Sequence, residues 1–203
     1  MMVRAVLLSF AAVALSGCIS LFPKAEPAST YKLNVTVASP SANPGTGAIV
    51  LRAPTAFTRL GASDKILTII GSETATIAGA RWAAPASIMF DEALVAAFDA
   101  TSTRLVTRGD VAPADMVLRV EVRSFEARYL AGAGAAPTVV VEARASLTNM
   151  RDRTASGTRA FRVSQAATDN RVSAIVDAYN AATSQVVSEI ARWTESQAPA
   201  RAG

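Results

Sequence analysis

The chain of 203 residues sets 20 Lys and Arg against 16 Asp and Glu, a formal charge of +4, and 51% of it is hydrophobic. It has no histidine and one cysteine, Cys18, which excludes Ser-His-Asp and Cys-His catalysis, the usual zinc sites and an internal disulfide. The basic excess is small and contains no Lys/Arg run interleaved with aromatics, so nucleic acid is not an expected partner.

The most specific stretch lies near the start. Arg4 precedes an apolar run, Ala5 to Leu15, broken by Ser9 and followed by small residues. A charged start, a short apolar core and a small-residue cut are the parts of a secretory signal. The run falls short of the roughly 20 residues that span a bilayer, which argues against a transmembrane helix. Leu15-Ser16-Gly17-Cys18 resembles the bacterial lipobox at all four positions. The resemblance implies cleavage after Gly17, lipid on the Cys18 thiol and acylation of the new amine, and more than one buried acyl chain gives a stable anchor. Residues 1–17 are then a signal peptide, and the mature charge is +3 because Arg4 leaves with them.

Residues 19–30 contain two prolines and no helical period, so 18–30 reads as a lipidated tether. Tyr31, Leu33, Val35 and Val37 alternate with Lys32, Asn34 and Thr36, the period of a half-buried strand. A Pro, Ser, Asn and Gly cluster over 39–47 makes a loop, and the short apolar strand Ala48–Ala53 ends at Pro54. Lys65–Ile70 and Glu73–Ala78 predict a hairpin about Gly71-Ser72.

Pro85 suits the first turn of a helix. There Ile88, Met89, Glu92, Val95 and Phe98 fall at helical spacing, and Leu94 and Ala97 widen the apolar stripe. A strand over Arg104–Thr107 and a turn lead into the long strand Asp115–Phe125. Met116, Leu118, Val120 and Val122 share one face of it, while Arg119, Glu121 and Arg123 share the other. That polar face is expected to meet water or a partner. Residues 131–137 form a small-residue loop between strands. Its Gly132-x-Gly134 lacks the lysine and the strand-to-helix setting of a phosphate loop.

Thr138–Thr148 and Thr158–Gln165 predict a second hairpin, and a helix of about 25 residues follows, with Asp169 as its expected N-cap. Val172, Ile175, Val176, Tyr179, Thr183, Val186, Val187, Ile190 and Trp193 make its apolar stripe. Residues 196–203 read as a polar, frayed tail. One domain over 31–195 is expected, of α/β (α+β) class: a mixed, mostly antiparallel sheet packed by two amphipathic helices.

Chemistry is sparse along this chain. Ser29-x-x-Lys32 has no accompanying S-D-N or K-T-G, and no G-x-S-x-G occurs. Asp110 and Asp115 sit at a turn. No enzyme, metal or cofactor is expected. The pair Arg81-Trp82, between a strand and a helix, has two readings. Either Trp82 plugs the core and Arg81 is solvated, or the pair is a docking point for a partner, since Trp and Arg are enriched among interface hot spots.

Several segments in order resemble the auxiliary lipoproteins of ABC-type, MCE-containing lipid transport systems of the Gram-negative envelope. That group includes the third component of paraquat-inducible-type systems and the auxiliary component of cholesterol-type uptake. The segments are the lipobox, Tyr31-x-Leu33 after the tether, Ile49-Val50-Leu51-Arg52-Ala53-Pro54, and Ala80-Arg81-Trp82-Ala83 with the helix Phe90–Phe98. Ala114–Val122 leading to Phe125, and Ile190-Ala191-Arg192-Trp193-Thr194, complete the set.

The resemblance implies a fold similar to the N-terminal domain of the Tol-Pal β-propeller protein and a non-enzymatic role. Such a lipoprotein sits on the periplasmic face of the outer membrane and receives an MCE-domain subunit, while ATP hydrolysis belongs to other subunits. Ile19 after Cys18, rather than aspartate, resembles the outer-membrane sorting signal. Homo-oligomerisation is left open. Two other classes stay beside this one: a lipid-carrying module with its own apolar cavity, and a structural envelope lipoprotein unrelated to transport.

Overall fold

The computed structural model describes residues 28–198 apart from 38, 40, 42–45, 59, 60 and 111. In chain order, β1 (Ser29–Tyr31), β2 (Ile49–Arg52), β3 (Ala56–Phe57), β4 (Lys65–Ile70) and β5 (Glu73–Trp82) precede α1 (Ala86–Phe98). β6 (Arg104–Val106), β7 (Met116–Arg128), β8 (Thr138–Asn149), β9 (Ala155–Ala166) and α2 (Val172–Gln197) follow. β7 and β8 coincide with stretches of clear alternation, because each buries one face, whereas β9 buries only Phe161 and Val163.

β7, β8 and β9 form an antiparallel meander. The free edge of β7 is followed in parallel by three short pieces of one stretch. β2 pairs Val50 with Met116, β3 pairs Ala56 with Glu121, and β4 pairs Thr68 with Ala127. Pro54, which has no N–H to give, and the excursion after Phe57 break that stretch into pieces. Beyond them the sheet divides, with β6 alongside β2 at one end and β5 then β1 alongside β4 at the other. The long pairings are antiparallel and the short ones mostly parallel, so the sheet is mixed and mostly antiparallel.

A bulge at Arg123 shifts the alternation of β7. Met116, Leu118, Val120 and Val122 face inward before it, and Phe125 and Ala127 after it. Both helices contribute to the core on this inner face. The stripe of α2 is as the spacing predicts, with Val172 half-buried. Its start is not: the helix begins at Val172 with Arg171 at the N-cap, and Asp169 pairs with Arg171 at 2.9 Å instead of capping.

α1 is turned relative to expectation. It buries Phe90 and Ala93 with Met89, Leu94 and Phe98, whereas Ile88 is 50% and Val95 41% exposed. Apolar residues surround this helix, so spacing alone does not choose its face. Phe90 does, by meeting Phe57 edge-on with ring centroids 5.7 Å apart.

The alternation over 31–37 is present, but its partner is a helix. Only Ser29–Tyr31 pair in the sheet, parallel to β5. The chain then runs extended along α2. Asn34 N–H donates to Asn180 Oδ1 at 2.9 Å, and Thr36 N–H donates to Ser184 Oγ at 3.0 Å. Tyr31, Leu33, Val35 and Val37 pack, half-buried, against the core.

Candidate functional site

Alternation along β5 sends neighbouring side chains to opposite faces, and this separates Arg81 from Trp82. Trp82 is 2% exposed and meets Tyr179 and Phe125 at ring-centroid distances of 5.1 and 6.1 Å. An indole so covered offers a partner no surface. Arg81 is exposed and lines a cleft of about 490 Å³ with Thr30, Ser63, Asp64 and Pro85. Only the guanidinium of this pair can be touched from outside. Cys18 lies outside the described residues.

A second group was not legible beforehand. Arg52, at the end of β2, reaches Asp91 on α1 at 2.6 Å, and the Thr55 hydroxyl donates to the other oxygen of the same carboxylate. Both charged side chains are largely buried. Ile88 and Val95 stand on either side, and together these residues line a depression of about 460 Å³. Exposed aliphatic side chains around a fixed ion pair have the anatomy of a protein contact surface. The signal available in the sequence was the surplus of apolar positions on α1, more than one buried stripe can use.

The outer face of the sheet carries most of the charged residues of the three long strands; Arg159 instead lies on the face of Phe161, its guanidinium 5.2 Å from that ring's centroid. Glu121 pairs with Arg123, Glu126 with Arg128 and Glu142 with Arg162. Arg119 and Arg144 make no such pair, and both line a depression of about 450 Å³ with Ser146, Thr158 and Pro54. Glu121, opposite Arg144 in the β7–β8 register, lines the same depression, so two guanidinium groups and one carboxylate meet there.

The turn aspartates serve the backbone. Asp115 accepts the Ile49 N–H at 2.8 Å and ties β2 to the start of β7. Asp110 accepts the Thr107 N–H at 2.6 Å and its hydroxyl at 3.0 Å, and these bonds hold its carboxyl below the usual range. Among the described residues, no three His, Cys, Asp or Glu side chains group as metal ligands, and no helix is long and apolar enough to cross a membrane.

The sequence pattern of the ABC-type transport auxiliary lipoprotein component family matches residues 25–191. A solved structure of a DUF330 protein from Xanthomonas campestris is similar at 26% identity and a TM-score of 0.75, covering 84% of this chain and 96% of that one. An uncharacterised protein (17% identity, TM-score 0.61, 83% of this chain and 99% of that one) shares the fold. So does a hypothetical protein from Chlamydia trachomatis, at 10% identity and a TM-score of 0.52, over 74% of this chain and 97% of that one. No curated protein matches the sequence.

Proposed function

The chain belongs to the family of ABC-type transport auxiliary lipoprotein components, and from that membership we propose that it docks an MCE-domain subunit of a lipid transporter at the outer membrane. The family is one of transport components rather than of enzymes, and its members are membrane-anchored lipoproteins of the envelope. In this reading Cys18 carries the lipid and the domain stands on the periplasmic face. It receives the far end of the MCE assembly while other subunits hydrolyse ATP.

The observation that supports a docking role is the outer side of α1. Ile88 and Val95 are exposed on a helix whose other apolar residues are buried, apart from half-buried Ala96, and the Arg52–Asp91 pair between β2 and α1 fixes the helix against the sheet. Two aliphatic side chains held out by a rigid base desolvate cheaply against a partner, with the charged pair specifying register. Arg81 is a further candidate contact on the cleft that precedes the same helix.

Co-purification tests this. With both Ile88→Asp and Val95→Asp in place, the melting temperature should hold within a few degrees, since neither side chain is core. Capture of the MCE subunit should fall at least tenfold, the loss of about 1.4 kcal/mol or more. Undiminished capture by a folded double variant would remove α1 from the docking surface. No capture by the parent would reject the MCE partnership itself.

A further inference from the structure

We propose that the tip of the β7–β8 hairpin, residues 130–136 led by Leu130, rests on the surface of the membrane that anchors the chain. The inference depends on the lipid-anchor reading above and adds to it an orientation.

Leu130 is 79% exposed. No charged residue occurs from Tyr129 to Val141, and the tip itself is Ala and Gly up to Pro137. The loop is held in place. Asn170 Nδ2 donates to the Ala133 carbonyl and Asn170 Oδ1 accepts from the Tyr129 hydroxyl, both at 2.9 Å. Gly132 takes φ of 89°, and Ala135 N–H closes a turn on its carbonyl. An exposed leucine beside a tyrosine, on a braced and uncharged tip, suits the interfacial zone of a bilayer better than open water.

The topology places this tip at the tether's end of the molecule. β4 runs parallel to β7, β5 returns antiparallel to β4, and β1 runs parallel to β5. The chain therefore enters Ser29 travelling away from the β7–β8 tip, with Ala28 on the tip side of it. Ser29 lies opposite Ala80, seven residues from Glu73 at the Gly71-Ser72 turn, or about 23 Å at strand spacing. The residues between Cys18 and Ser29 reach about 35 Å when extended, enough to bring the lipid level with the tip.

Charges at this end sit on neighbouring segments, Glu73 at the β4–β5 turn and Asp169 and Arg171 beside Asn170, whereas at the opposite end the hairpin turn itself is charged. There the β8–β9 turn carries Arg151, Asp152 and Arg153, and the loop before β7 carries Arg108 and Asp110. One leucine binds a bilayer weakly by itself. The anchor raises its effective concentration at the surface, so a weak contact suffices to set orientation.

Site-directed fluorescence on the full lipidated chain decides the matter. Lipidation occupies the Cys18 thiol, so Leu130→Cys and Met150→Cys each present a single thiol for the NBD fluorophore. Met150 is 46% exposed and sits at the charged end, which makes it the control. Each labelled protein is reconstituted into vesicles of phosphatidylethanolamine and phosphatidylglycerol containing nitroxide-labelled lipid.

NBD at 130 should shift to the blue and lose most of its emission to the nitroxides, and NBD at 150 should do neither. Equal responses at the two sites, or none at 130, overturn the proposal. So does NBD at 130 that is shielded from aqueous iodide yet untouched by lipid nitroxides, which would assign the tip to a protein contact. A parent chain that labels at Cys18 and fails to float with vesicles would show instead that the anchor reading is wrong, and the orientation falls with it.

Discussion

Trp82 and Tyr179 meet edge to face, their ring centroids 5.1 Å apart and their planes at 86°. One comes from the end of β5 and the other from the first third of α2. Phe125 of β7 completes a triangle at 6.1 Å from Trp82 and 4.8 Å from Tyr179. Phe57 links this triangle to Phe90 of α1. Five aromatic rings thus join both helices to three different strands, and the arrangement depends on residues scattered over most of the chain.

Trp82→Ala should consequently act as a core truncation. The expected loss is about 3–5 kcal/mol, and a melting temperature lowered by many degrees is the readout. Arg81→Ala, one residue away on the wet face, should shift stability by no more than about 0.5 kcal/mol. Parallel thermal melts of the two variants check both expectations. Equal melts would mean that the indole is not part of the core.

Tyr179 makes stability depend on alkaline pH. Burial, and to a lesser degree the charges of Glu126 and Tyr129, push its phenol well above the usual tyrosine range. In the unfolded chain it titrates near 10. Above about that pH the unfolded state gives up a proton that the folded state keeps, so stability falls as pH rises further. Below it the contribution is complete. Tyr179→Phe should remove this part of the alkaline decline, and it should cost about 1 kcal/mol at neutral pH by losing the 3.0 Å bond to the Leu67 carbonyl. Urea titrations from pH 8 to 11 on parent and variant measure both effects.

Gly47 marks a point where backbone space is used up. A methyl group there would lie 2.9 Å from Ser102 Oγ and 3.0 Å from the Ser102 carbonyl. Ser102 in turn donates its N–H and hydroxyl to Glu195 Oε1 at 2.7 and 2.6 Å, which fastens the C-terminal turn of α2. Gly47→Ala should destabilise by about 1–3 kcal/mol and speed hydrogen exchange in the last turn of α2. Gly109→Ala, with nothing within 4 Å of the added carbon, should leave both unchanged.

What could be read beforehand followed from local periodicity. β7, β8 and α2 announce themselves because one face of each is continuously apolar, and the Gly71-Ser72 hairpin because its turn residues are explicit. The period over 31–37 was real, yet a period of two says only that alternate side chains are covered and leaves the covering element open. Here Asn180 and Ser184 of α2 take the place of a neighbouring strand. Trp82 carried two readings because burial at a strand end depends on Phe125 and Tyr179, which are distant in sequence. The Arg52–Asp91–Thr55 group was invisible for the same reason. It exists only once β2 and α1 are side by side.

The entry of the chain through β1 has a mechanical consequence. A pull on an N-terminal anchor acts along the axis of Ser29–Tyr31, so its bonds to Ala80–Trp82 are strained together, in shear, instead of opening one after another. The extended segment along α2 is loaded in line behind it. A domain held this way resists tugging through its leash more than its three-residue edge strand suggests. When it yields, the stretch ahead of β2 should come away first and leave the meander standing. In single-molecule extension from the N-terminus, the first event should release about 60–70 Å of chain, the length of residues 29–47. One larger event that takes β5 with it would show that the edge strand and the sheet fail as a unit.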